Sequence, residues 1–155
     1  MRSVVSFNEG WSFHEGFGQR LLESFDAAKS VSLPHTAVEL PFNYFDERSY
    51  QRAFTYQKVL RWLPEFEGRE VSLVFDAAMA DSVVYLNGEE IIAHKDGYTP
   101  FEARLTGKLA KGENLIANVL LWRSLDKGAE LADMAGEHGK ADDYRARAKA
   151  LHAAI

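Results

Sequence analysis

The dipeptide Asn87-Gly88, set between the runs Ser82-Val-Val-Tyr-Leu86 and Glu89-Glu-Ile-Ile-Ala-His94, constrains this chain more than any other feature. A two-residue type I′ turn requires positive φ at both central positions, which Asn and Gly tolerate, so the two runs are expected to fold back on each other as an antiparallel hairpin. Strand texture continues on both sides of it. Val71, Leu73 and Phe75 alternate with Ser72 and Val74 upstream, while residues 101–105 and the strongly apolar residues 114–122 follow downstream, separated by a Lys111-Gly112 turn. Residues 52–60 form a long strand pattern, with Phe54, Tyr56 and Lys58 on one face and Ala53, Thr55, Gln57 and Val59 on the other. Nearer the N-terminus, Val4, Val5 and Phe7 precede an Asn8-Glu-Gly10 turn, Trp11-Ser-Phe13 reads as a short strand, and residues 31–33 as another, ended by Pro34. Short strands at intervals of ~8–12 residues, with turn signals and no helical period between them, specify a mainly β, antiparallel sandwich.

Three stretches lack that texture. Residues 16–30 are mixed and polar around Leu21, Leu22 and Phe25, the pattern of a surface loop or short helical turn tolerated at an edge. Residues 34–50 are irregular but aromatic, placing Phe42, Tyr44, Phe45 and Tyr50 among Asn43, Asp46, Glu47 and Arg48. Those rings either fill the end of the core or stack on the apolar faces of a sugar. Beyond Trp122 the chain turns to helix formers: Leu131, Met134 and Ala135 fall at helical spacing, Gly139 is placed as a stop, and Asp142 and Asp143 stand where a helix N-terminus favours negative charge. Tyr144, Ala148, Leu151 and Ile155 then share one face, so a C-terminal helical hairpin is expected, with an apolar stripe that needs a partner. The expected division is a sandwich over residues 1–123 and a helical tail over 124–155.

A net charge of -5 and a pI near 5.5, with no basic run, argue against nucleic acid or an anionic membrane surface as partner. The absence of cysteine removes disulfides and thiolate chemistry. No signal-peptide pattern opens the chain and no apolar run nears the ~20 residues needed to cross a bilayer, so a soluble, cytoplasmic protein is expected. Catalytic constellations are weak. Glu89 and Glu90 are strand neighbours pointing to opposite faces and cannot flank one glycosidic bond. His94, Asp96 and His35 match no metal-ligand spacing, and a hydrogen-bonded loop histidine is the expected role of His94. Ser82, His94 and Asp76 could be written as a triad, yet no nucleophile-elbow context surrounds the serine. The glycines form no phosphate loop, and no metal or cofactor is expected.

Several strings together carry a resemblance: Asn8-Glu-Gly-Trp-Ser-Phe-His14, Leu33-Pro-His-Thr36, Tyr56-Gln-Lys58, the Val-Tyr-Leu-Asn-Gly hairpin, His94-Lys-Asp-Gly-Tyr-Thr-Pro-Phe101 and Leu105-Thr-Gly-Lys-Leu-Ala-Lys-Gly-Glu-Asn114. In this order, over roughly residues 5–122, they resemble the N-terminal domain of family-two glycoside hydrolases, the β-galactosidase and β-glucuronidase group. The resemblance implies a jelly-roll sandwich, called a sugar-binding domain, which precedes a catalytic barrel that carries both catalytic glutamates. No catalytic residue is therefore carried over to this chain. The tail instead looks like a helix pair of an (α/α)-barrel glycosidase. Past Trp122 the sequence thus departs from the family, and an edge left open there would need the hairpin or a second chain to cover it. The resulting expectation is a non-catalytic module that assists a catalytic domain and binds carbohydrate weakly, through Asn43, Tyr44, Asp96 and Tyr98. The other expectation is an assembly protein that self-associates through its helical tail.

Overall fold

The computed structural model describes residues 2–43, 46–121 and 124–153. Eight strands follow in chain order: β1 (Trp11–His14), β2 (Lys29–Val31), β3 (Phe54–Arg61), β4 (Ser72–Phe75), β5 (Asp81–Leu86), β6 (Glu89–Lys95), β7 (Phe101–Arg104) and β8 (Glu113–Leu121). A single helical turn, α1 (Arg20–Glu23), lies between β1 and β2, and two longer helices, α2 (Ser124–Met134) and α3 (His138–Ala153), end the chain. Every pairing is antiparallel. Six strands form one sheet in the order β2-β1-β3-β8-β5-β6, and β4 pairs with β7 in a second sheet of two. The mainly β sandwich with a helical hairpin follows the sequence pattern.

The β5–β6 turn forms where Asn87-Gly88 requires it, with φ of 51° and 84° and Leu86 opposite Glu89. Asn87 also ties this turn to β8. Its amide donates to the Leu115 carbonyl at 2.8 Å, and its Oδ1 accepts from the Leu115 amide at 2.8 Å. The core lies between the sheets: Trp11, Phe13, Phe54, Tyr56, Val84, Leu86 and Ile116 from the large sheet meet Phe101, Ala103 and Leu105 from the β7 side. Alternation along the strands places these residues on one face.

The outer face of the large sheet is covered as well, which the polar look of residues 16–30 does not suggest. That segment folds over Ala53, Tyr85, Ala117 and Val119, inserting Leu22 and packing Phe17 against them. Gln57 holds it in place. Fully buried, it accepts at Oε1 from the Asp26 amide at 2.9 Å, and its Nε2 donates to the Leu21 carbonyl and, at 2.9 Å, to that of Ser24. A buried amide with its partners supplied by the loop explains how a polar residue occupies the sheet centre.

Three local expectations need correction. Val4 and Val5 join no strand and are 82% and 81% exposed, because β1 already has β2 and β3 on its two sides. In the tail, α2 ends on Gly136 at φ 79°, the left-handed position suited to a C′ glycine, while Gly139 lies within α3. Leu131 and Met134 do not form the buried stripe. They are 66% and 85% exposed, and the hairpin closes instead on Ala129, Ala132, Ala141, Tyr144 and Ala148. Small side chains allow two helices a close approach that leucine and methionine would obstruct. Trp122 and Ile155 lie outside the described residues, and among those described no helix is long and apolar enough to cross a membrane.

Candidate functional site

The mismatch between the two sheets shapes a concavity. The inner faces of β1 and β3 extend past the narrow β4–β7 sheet, and the space beyond β4 is a cavity of ≈ 780 Å³. Its floor carries Trp11, Phe54, Tyr56 and Leu120; β4 and residues 76–79 form one wall, and residues 33–38 the other. Its size and apolar aromatic lining lie in the range of ligand sites.

Polar groups enter this cavity at a few points. His35 Nδ1 and the Tyr56 hydroxyl are 2.9 Å apart, and the imidazole packs edge-on against Phe13 at 4.8 Å. Burial, reinforced by the charge of Lys29, pushes the His35 pKa below its ordinary value, so the ring favours the neutral form. Burial alone pushes Tyr56 up to about 12. Arg52 places its guanidinium 5.3 Å from the centre of the Phe54 ring and donates from Nη2 to Glu15 at 2.7 Å, whereas its buried Nε has no hydrogen-bond partner. Outside that lining, Lys58 Nζ sits 3.9 Å from the ring centre of Phe7, which does line the cavity, and donates to the Phe7 carbonyl at 3.1 Å. Burial lowers its pKa against the opposing pull of Glu9. Trp11 Nε1 donates to that same carbonyl at 2.8 Å, which pins both the indole and the chain entering β1.

The residues expected from sequence to contact sugar lie elsewhere. Asn43 is exposed on the surface, and Tyr44 falls outside the described residues. Asp96 and Tyr98 share the β6–β7 loop, where Asp96 Oδ1 accepts from the Tyr98 amide at 2.8 Å and leaves the phenol ring 83% exposed. This hydrogen bond, then that from the Thr99 hydroxyl, holds the Asp96 carboxyl below the usual carboxylate range, with a smaller contribution from the charge of His94. Asp96 and Tyr98 are thus together, next to but not within the cavity. Gly97 joins the two features: a Cβ at that position would come within 3.0 Å of Met79 Cγ, and Met79 lines the cavity wall. Sequence reading missed the cavity because its lining is made of ordinary core residues. Its one signal was the aromatic density of β1 and β3 facing so narrow a second sheet.

The catalytic alternatives find no support in the geometry. Ser82 and His94 are opposite in the β5–β6 register, but the fully buried Ser82 hydroxyl donates to Asn118 Oδ1 at 2.7 Å. His94 stacks on Phe101 at 4.4 Å, with Nε2 3.1 Å from the Thr99 hydroxyl. Glu89 is paired with Lys108. Among the described residues no cluster of three or more His, Cys, Asp or Glu could hold a metal.

Comparison with known proteins places this geometry. Residues 23–146 match the family described as glycosyl hydrolases family 2, sugar binding domain. The chain belongs to that family. A β-galactosidase of Rhizobium meliloti is 49% identical over 117 residues, covering 75% of this chain and 15% of the relative. A β-galactosidase of Thermoanaerobacterium thermosulfurigenes is 37% identical over 107 residues, again 15% of its length. Bacteroides uniformis β-glucuronidase 2, solved covalently bound to cyclophellitol-6-carboxylate aziridine, superposes on 78% of this chain with a TM-score of 0.67 at 26% identity, over 15% of its own chain. Ruminococcus gnavus β-glucuronidase shares the fold, with a TM-score of 0.61 at 20% identity over 76% of this chain and 21% of its own. This sugar-binding domain therefore spans about 15% of the length of the curated β-galactosidases it matches.

Proposed function

We propose that this chain is the β-sandwich module of a β-galactosidase-like glycoside hydrolase, with the sandwich of residues 1–123 docking on a catalytic domain and the helical tail of 124–155 lying outside that contact. The observation that carries the reading is the 49% identity to the Rhizobium meliloti β-galactosidase, confined to a segment that is 15% of that protein. A module of this kind contributes surface rather than catalytic groups. The exposed Tyr98 ring and the Asp96 carboxylate share one loop and would supply the stacking surface and the hydrogen-bond acceptor that a pyranose uses, with Asn43 and Tyr44 as further contacts. So few contacts support only millimolar affinity.

The test mixes the full chain with Rhizobium meliloti β-galactosidase from which the matching 117 residues have been removed. A co-eluting complex that hydrolyses a chromogenic β-galactoside, when neither part does so alone, is the expected result. Absence of any complex at micromolar concentration overturns the docking role. Titration with methyl β-galactoside, followed by amide NMR shifts, checks the sugar contacts separately: Gly97 and Tyr98 should move with a dissociation constant in the millimolar range, and a flat response at both removes carbohydrate from the reading.

A further inference from the structure

The turn that closes β5 on β6 is also the one Asn-Gly step in the chain: Asn8, Asn43, Asn114 and Asn118 precede Glu9, Tyr44, Leu115 and Val119. A glycine after an asparagine leaves its backbone nitrogen without a neighbouring Cβ, so that nitrogen can approach the preceding carboxamide carbon closely. Asn87 is exposed at the hairpin tip, in contact with water. Its carboxamide is nevertheless held at both atoms. Oδ1 accepts from the Leu115 amide at 2.8 Å, and Nδ2 donates to Asn114 Oδ1 at 3.1 Å. Asn114 is fully buried and fixed in turn: its Oδ1 also accepts from the Ala110 amide at 2.8 Å, and its Nδ2 donates to the carbonyls of Ala110 at 3.0 Å and Leu60 at 3.4 Å. An exposed and chemically susceptible side chain is thus tied to a rigid, buried acceptor.

We propose that Asn87 is a deamidation site that the Asn114 and Leu115 contacts keep unreactive, and that its conversion to isoaspartate releases the β5–β6 turn from β8. In the reaction the Gly88 nitrogen bonds to Asn87 Cγ and the Cγ–Nδ2 bond breaks. Nδ2 leaves as ammonia, carrying the proton of the Gly88 nitrogen. Water then opens the succinimide ring, at Cγ to give aspartate or at the main-chain carbonyl carbon of residue 87 to give isoaspartate, with no change of oxidation state. The departing nitrogen is the donor to Asn114, and ring closure swings the carboxamide away from Leu115, so both bonds must open first. Deamidation therefore proceeds through local opening of the hairpin tip. Its two products differ in consequence. Aspartate keeps an oxygen for the Leu115 amide but sets another against Asn114 Oδ1, where a donor stood. Isoaspartate lengthens the backbone of a two-residue turn, which disrupts the closing pair Leu86–Glu89 and the 2.8 Å bond from the Asn87 amide to the Leu115 carbonyl. Either product places a further negative charge beside Glu89 and Glu90.

The experiment incubates the full chain in mildly alkaline buffer, folded and in urea, and follows conversion of Asn87 by peptide mass spectrometry, with the other asparagines as internal controls. Asn87 should convert first in urea, and at least about tenfold more slowly in the folded chain. Asn114→Ala removes the acceptor and should raise the folded rate several-fold. Asn114→Asp, which keeps an oxygen at that place, should hold the rate near that of the unsubstituted chain. The isoaspartate fraction, formed in urea, returned to buffer and separated by charge, should exchange its Leu115 amide faster than the unmodified chain. The proposal is overturned if Asn87 stays intact in urea, if the folded and unfolded chains convert equally fast, or if Asn114→Ala leaves the folded rate unchanged. It also falls if the isoaspartate fraction protects Leu115 as well as the unmodified chain does. That last readout uses the unsubstituted chain, so it decides the outcome even where Asn114→Ala does not fold.

Discussion

At the scale of single residues, Gln57 shows how a polar side chain can organise a β-sheet rather than interrupt it. It lies at the centre of β3, fully buried, and its amide serves the backbone of Leu21, Ser24 and Asp26. His14 Nε2 lies 3.2 Å from the same Oε1. Gln57→Ala therefore removes several hydrogen bonds and leaves carbonyls and an amide of the covering segment without partners. The expected cost is about 3 kcal/mol in urea denaturation, with faster amide exchange concentrated at residues 21–26. A loss below about 1 kcal/mol would show that water replaces the side chain and that the segment holds itself. Alternation in the sequence correctly put Gln57 on the face opposite Phe54 and Tyr56, yet gave no reason to bury it. Its partners come from a loop whose own composition looks solvated, and hydrogen bonds over a separation of more than thirty residues leave no local pattern.

At the scale of elements, strands and hairpin differ in how much of their stability is their own. The β5–β6 turn was legible because φ, residue type and flanking runs all agree at Asn87-Gly88, and β8 was legible because Leu115, Ile116, Ala117, Val119, Leu120 and Leu121 make it predominantly apolar, as suits a strand at the centre of a sheet. The helical tail was legible in kind but not in orientation. Helical spacing identifies which residues share a face, but not which face is buried, and here alanine and one tyrosine win over Leu131 and Met134. Burying alanines removes little apolar area, so α2 and α3 are held weakly compared with the sandwich core. Two thermal transitions are expected as a result: loss of helical circular dichroism at 222 nm first, then loss of tryptophan fluorescence as the sandwich opens. Tyr144→Ala should lower the first transition by about 5 °C or more and leave the second in place. A single coincident transition in both signals would mean that the hairpin and the sandwich unfold as one unit.

At the scale of the whole molecule, His35 and Tyr56 in the cavity, with Tyr85 and Lys58 outside its lining, make stability depend on pH. His35 has its pKa lowered from 6.5, so the unfolded chain takes up protons first as pH falls below that value, and stability declines on the acid side. Tyr56 titrates at about 12 in the folded chain against 10.0 unfolded, so the unfolded chain loses its proton first and stability declines as pH rises between those values. That window corresponds to about 3 kcal/mol from this one phenol, which is only 5% exposed. Tyr85, raised by burial and by Glu90, adds in the same direction. Lys58 works against them: its pKa is lowered from 10.5, so the unfolded chain holds its proton longer and stability rises with pH until that value is passed. The alkaline decline should therefore be clearest above pH 10.5, where Lys58 no longer compensates. Urea midpoints measured across the range should form a plateau with an acid and an alkaline shoulder. Tyr56→Phe keeps the ring on the cavity floor, removes the ionisable group and should flatten most of the alkaline shoulder. The acid shoulder should survive that change.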